Sequence, residues 1–108
     1  MKNYIVSTID GRPLINTFQD EHEEEVAAIT AALSGLSKGL KNGVDIGNLN
    51  TIIINGSNGR YAMRYIDEER VLGVLSPITI PEKQLMIDVE NLTTAMTNTT
   101  NIPPLSIN

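Results

Sequence analysis

Thr51-Ile52-Ile53-Ile54-Asn55 is followed by Gly56-Ser57-Asn58-Gly59 and then by Arg60-Tyr61-Ala62-Met63-Arg64-Tyr65. Three consecutive β-branched aliphatics predict a strand, because a branched Cβ packs well on a pleated surface. The Gly-Ser-Asn-Gly tetrapeptide predicts a reversal. In the run after it, alternation puts Tyr61, Met63 and Tyr65 on one face and Arg60, Ala62 and Arg64 on the other. The run before it does not alternate and is apolar on both faces. Such a strand needs cover or a pairing partner.

Working outward, Asp67-Glu68-Glu69-Arg70 makes the next turn. Val71-Leu72-Gly73-Val74-Leu75-Ser76 is apolar on both faces, which marks a central strand covered on each side. Pro81 suits a first helical turn, and Leu85, Val89, Leu92 and Met96 form the stripe of a helix. Upstream, Tyr4 to Ile9 reads as a strand, Asp10-Gly11 as a tight hairpin turn and Leu14 to Phe18 as the returning strand. Asp20 stands as an N-cap, with Glu21, Glu23, Glu24 and Glu25 at the positive end of a helix macrodipole. Val26, Ile29, Leu33, Leu36 and Leu40 then repeat at spacings of three and four. Ala27, Ala28, Ala31 and Ala32 flank this stripe, Lys38 and Lys41 suit the negative helix end, and Asn42-Gly43 closes it. The stripe is expected to pack on a sheet, and its alanine shoulders widen it enough to receive a second helix. The element order is therefore β-β-α-β-β-β-α, in the α/β (α+β) class.

Composition bounds the function. The 108 residues suit one domain, 41% apolar and 19% charged. Cysteine is absent, which excludes disulfides and thiolate metal sites. A net charge of −5 argues against nucleic acid or an anionic membrane as partner, since both demand clustered cations. Charge arrives at Asp10, too soon for a signal-peptide core or a membrane span, so a cytoplasmic protein without membrane insertion is expected. Asn-Gly at Asn42, Asn55 and Asn58 points to a moderate growth temperature.

Chemistry finds no foothold. The sole histidine, His22, lies in the acidic helix start with no nucleophile beside it. His22 and Glu25 have ligand spacing but no third ligand in sequence. Gly56 to Gly59 lacks the Gly-Lys-Ser/Thr ending of a phosphate loop and leads into a strand rather than a helix. A non-enzymatic protein without cofactor or metal is expected.

Ile9-Asp-Gly-Arg-Pro-Leu-Ile15, the Glu-rich opening into an alanine-rich helix, Thr51 to Tyr61 and Val71-Leu-Gly-Val-Leu75 together resemble the roadblock / dynein light-chain family. The resemblance runs from about Tyr4 to Met96. It implies a five-stranded antiparallel sheet with helices packed on it, a roadblock/profilin-like sandwich, that dimerises through its third strand and long helix. It also implies a scaffold or regulator of small Ras-like GTPases, in some prokaryotic systems a GTPase-activating partner and elsewhere a motor-associated subunit. Family members usually begin with a helix before the first strand. Here the chain begins in the strand, in an order shared with longin domains. One sheet face would then carry only the C-terminal helix: either its exposed remainder is polar enough to be solvated, with which Arg60 and Arg64 are compatible, or the Ile102 to Ile107 tail, another subunit or a partner covers it.

A physical argument for pairing stands beside the resemblance. At a sheet edge, Thr51 to Asn55 would be an apolar strand without proline or charge, and such edges template association. Two-fold pairing with its own copy would close it. The expected seam comprises Ala28, Ile29, Ala32, Leu36, Thr51, Ile52, Ile53, Ile54 and Asn55, in a homodimer or a heterodimer with a paralogue. Arg60 and Arg64 form a candidate partner face, and none of Arg12, Arg60, Arg64 and Arg70 is assigned as an arginine finger. Residues 1–97 are expected to form one roadblock-like domain, with 98–108 a mobile or loosely docked tail. The leading expected function is a dimeric platform that modulates a GTPase's nucleotide state. The alternatives are a structural adaptor without nucleotide-state preference, of motor- or trafficking-complex type, and a small-molecule sensing module.

Overall fold

The structure, a computed structural model, describes residues 3–18, 23–44 and 51–98. The Asp20 cap, Glu21, His22, the loop around Gly47 and the tail from 99 onward lie outside the described residues.

The elements run β1 (Asn3–Thr8), β2 (Pro13–Asn16), α1 (Glu23–Val44), β3 (Thr51–Asn55), β4 (Gly59–Tyr65), β5 (Arg70–Pro77) and α2 (Glu82–Thr97). The strands form one antiparallel sheet in the order β2-β1-β5-β4-β3. β5 lies at its centre, as expected for Val71 to Ser76. Val71, Leu72 and Val74 are fully buried.

The two helices cover opposite faces. On one side Leu72, Val74, Val6 and Ala62 meet Leu85, Val89 and Met96 of α2, the stripe expected from the sequence with Leu92 half-buried at its margin. On the other side Tyr61 and Tyr65 reach α1. Each fully buried Leu or Val side chain contributes about 1.5–3 kcal/mol relative to exposure. α2 is capped by Pro81 at φ −61°, a residue whose missing N–H costs nothing at a helix start.

The β1–β2 connection is four residues long, Ile9 to Arg12, rather than a two-residue turn. The Gly11 N–H donates to the Thr8 carbonyl at 3.0 Å, and the Thr8 N–H donates to the Arg12 carbonyl at 2.8 Å. Gly11 takes φ +96°, the left-handed region open to glycine. The Thr8 hydroxyl accepts from the Arg12 N–H at 2.9 Å and donates to the Asp10 carboxylate. That hydroxyl is the main reason the Asp10 carboxyl sits below its ordinary value, with the Arg12 charge assisting.

Candidate interaction surface

The long helix is turned the other way from its hydrophobic pattern. Its sheet-facing residues are Ala27, Thr30, Ser34 and Ser37, all buried. Ile29, Leu36, Leu40 and Val44 are 51%, 63%, 42% and 62% exposed. Ala28 and Ala32 are exposed beside them, and Val26 and Leu33 are half-buried. The expectation that the Val26-to-Leu40 stripe packs on the sheet is thus corrected.

The physical reason lies in β4. Tyr61 and Tyr65 stand on the α1 side, and two phenol rings fill the gap that leucines would otherwise occupy. Their hydroxyls need partners there. The Thr30 hydroxyl lies 2.6 Å from the Tyr61 hydroxyl and donates to the Val26 carbonyl at 2.7 Å. A hydroxyl carries one proton, so Tyr61 donates to Thr30. The Tyr65 hydroxyl donates to the Ser34 carbonyl at 2.7 Å. Small and hydroxylic residues on the helix are the complement of large phenols on the sheet. Burial pushes the Tyr61 phenol above its ordinary value.

β3 is an edge strand, paired on one side with β4 in the register Thr51↔Arg64 to Asn55↔Arg60. The Gly56 N–H donates to the Gly59 carbonyl at 2.8 Å, extending that ladder. Antiparallel alternation then directs the backbone groups of Ile52 and Ile54 to β4, and those of Thr51, Ile53 and Asn55 to the open edge. Ile53 packs against the α2-side core. Ile52 and Ile54 stand on the α1 side, opposite Met63 and Tyr61, and Ile54 is 46% exposed. α1 packs chiefly over β1, β2, β4 and β5. The outward stripe of α1 and the Ile52–Ile54 margin therefore lie on the same side of the sheet.

Arg60 and Arg64 point to the α2 side and are held internally. The Arg60 guanidinium donates to the carbonyls of Ile78 at 3.1 Å and of Ile80, bracing the β5–α2 connection. The Arg64 guanidinium donates to Glu90 of α2 at 2.6 Å. Sequence pattern assigned both to the more polar face but gave no sign of these partners. At the β4–β5 turn, burial raises the Asp67 carboxyl, but the N–H groups of Glu69 and Arg70 and the Arg70 guanidinium outweigh this and hold it below its ordinary value.

Among the described residues no group of three or more His, Cys, Asp or Glu is placed to hold a metal ion. No helix among them is long and apolar enough to cross a membrane.

No protein-family model matches this sequence, and no curated protein matches it either. Solved structures do match its fold. Myxococcus xanthus MglB superposes with a TM-score of 0.80 at 13% identity, over 89% of this chain and 74% of that one. A Roadblock/LC7 domain from Streptomyces avermitilis gives 0.78 at 14% identity, over 87% of this chain and 80% of that one. The gliding protein MglB from Thermus thermophilus gives 0.77 at 11% identity, over 89% and 75%. The chain has the roadblock fold, as its resemblance to that family implied.

Proposed function

We propose that this protein is a non-enzymatic homodimeric platform that binds a small Ras-like GTPase and modulates its nucleotide state. The observation that carries the dimer is the orientation of α1. Ile29, Leu36, Leu40 and Val44 face outward on the same side as the unblunted apolar edge β3. Contiguous exposed aliphatics of this kind mark interaction surfaces in soluble proteins. A second copy supplies the same aliphatics and the same open edge, so a two-fold axis satisfies both at once. The seam comprises Ala28, Ile29, Ala32 and Leu36 of α1 with Thr51 to Asn55 of β3. One MglB structure similar to this chain is described as a tetrameric arrangement, which supports association through this fold.

The GTPase follows from the resemblance and the shared fold rather than from any side chain. Its test is a binding titration against the small Ras-like GTPases of the same organism, each loaded with GDP or with a non-hydrolysable GTP analogue. A platform that modulates nucleotide state binds one form more tightly, whereas equal affinity shifts neither and would establish a plain adaptor. Multi-angle light scattering at micromolar concentration tests the dimer. A strict monomer there would sink it.

A further inference from the structure

The fold treats the three Asn-Gly dipeptides, Asn42-Gly43, Asn55-Gly56 and Asn58-Gly59, in three different ways. Glycine leaves its own backbone nitrogen unusually open to a preceding side chain, because it carries no Cβ. Asn42 lies in α1 (Glu23–Val44). There side chains point back toward the helix N-terminus, away from the Gly43 nitrogen, and each N–H donates to a carbonyl four residues earlier. Asn55 ends β3 with its Nδ2 donating to Glu82 Oε1 at 3.3 Å, while the Gly56 N–H donates to the Gly59 carbonyl at 2.8 Å. Asn58 has neither protection. It is exposed in the β3–β4 turn with no side-chain hydrogen bond among the described residues, and the Gly59 N–H does not return the bond to Gly56.

We propose that Asn58 is a site of spontaneous covalent modification, losing its side-chain amide through a cyclic imide closed by the Gly59 nitrogen. That nitrogen gives its proton to hydroxide and attacks the Asn58 Cγ. A new N–Cγ bond forms, the Cγ–Nδ2 bond breaks, and Nδ2 leaves as ammonia with a proton taken from water. A second water then opens the ring. Addition at Cγ gives aspartate, and addition at the main-chain carbonyl gives isoaspartate.

The glycine of this pair is set by packing. A Cβ on Gly59 would lie 3.1 Å from the Ser76 carbonyl oxygen, so close approach to β5 favours glycine there. The modification then acts on the turn itself. The Asn58 main-chain carbonyl accepts from the Ile78 N–H at 3.3 Å. Isoaspartate routes the main chain through Cγ, which turns that carbonyl into a free carboxylate and adds a methylene to the chain. The tip of the β3–β4 hairpin and the start of the β5–α2 connection loosen together. Either product also adds a negative charge to a chain already at −5.

Tryptic mapping makes a clean test, because a single peptide, Asn42 to Arg60, contains all three dipeptides. The full-length protein is incubated in mildly alkaline buffer, folded or in urea, then digested. Fragmentation reads the gain of about 1 Da at each asparagine. In the folded protein Asn58 should convert at least about fivefold faster than Asn42 or Asn55, whereas in urea the three rates should fall within about threefold, because the protection is structural. A smaller margin in the folded protein would overturn the proposal, as would a margin that persists in urea. Isoaspartate should accompany aspartate at Asn58; aspartate alone would exclude the cyclic route and overturn it. Asn58→Ser should abolish the fast conversion, and a fast conversion surviving in that peptide would equally overturn it.

Discussion

The Tyr61 phenol ring lies over Gly73, so close that a Cβ on the glycine would come within 2.7 Å of the ring's Cζ and 3.0 Å of the Thr30 hydroxyl. Tyr61 pairs directly with Leu75, and Gly73 is its diagonal neighbour two residues along β5. The glycine provides the slot in which the ring passes beneath α1. Gly73→Ala is expected to destabilise the fold by about 1–3 kcal/mol, the usual cost of inserting a methyl into a filled core. Urea denaturation measures it, and a change under about 0.5 kcal/mol would mean that the ring is free to move aside.

Tyr61 also sets an alkaline limit. Its folded value is raised above the ordinary 10.0, so the folded state keeps a proton that the unfolded chain releases first. The stability this contributes is complete below 10.0 and falls as pH rises through the folded value. Tyr61→Phe should remove that fall from the pH profile, at a cost of about 1 kcal/mol at neutral pH for the lost hydrogen bond. Melting curves of both proteins at mildly and at strongly alkaline pH, either side of the tyrosine range, test the difference.

Leu36 and Ser37 are neighbours with reversed burdens. At dilutions where self-association adds nothing, Leu36→Ser should change stability by less than about 0.5 kcal/mol, because the leucine is exposed. Ser37→Leu should cost about 1–3 kcal/mol, because it forces bulk between helix and sheet. The reverse ranking in a denaturation experiment would show that α1 is rotated about its axis.

Ile54→Lys places a charge beside the open backbone of β3, a device natural edges use against pairing. Sedimentation velocity should show self-association weakened at least about tenfold, the effect of a loss of about 1.4 kcal/mol. The melting temperature at low protein concentration should be unchanged.

At the β4–β5 turn the Asp67 carboxyl is depressed by its hydrogen bonds, so its contribution is present above the ordinary 3.8 and fades as pH drops through the lower folded value. Asp67→Asn should remove that acid limb. High salt should weaken it in the parent chain, because the Arg70–Asp67 pair at 2.8 Å is partly exposed. Acid titration followed by circular dichroism in low and high salt is the measurement.

Much of this fold could be read in the sequence. Val71 to Ser76 declared a central strand, Asp10-Gly11 a reversal, and Leu85, Val89 and Met96 a buried stripe, because in each a local pattern has one physical outcome. The orientation of α1 had two. Spacing shows that Ile29, Leu36 and Leu40 share a face, but not which face meets the sheet. Tyr61 and Tyr65 made that choice thirty-one residues downstream of Thr30 and Ser34, through hydroxyls that accept a serine-threonine helix face and exclude a leucine one. The internal engagement of Arg60 and Arg64 was hidden for the same reason. Their partners at Ile78 and Glu90 come together only when α2 docks.

The two margins of the sheet are chemically unequal. β2 is four residues long and opens with Pro13, whereas β3 directs the backbone groups of Thr51, Ile53 and Asn55 to the edge that no described strand pairs with. In the proposed dimer, joining two such sheets through β3 would consume both apolar rims and leave the short, proline-headed β2 rims outermost, where a further copy would find no second strand like Thr51–Asn55 to pair with.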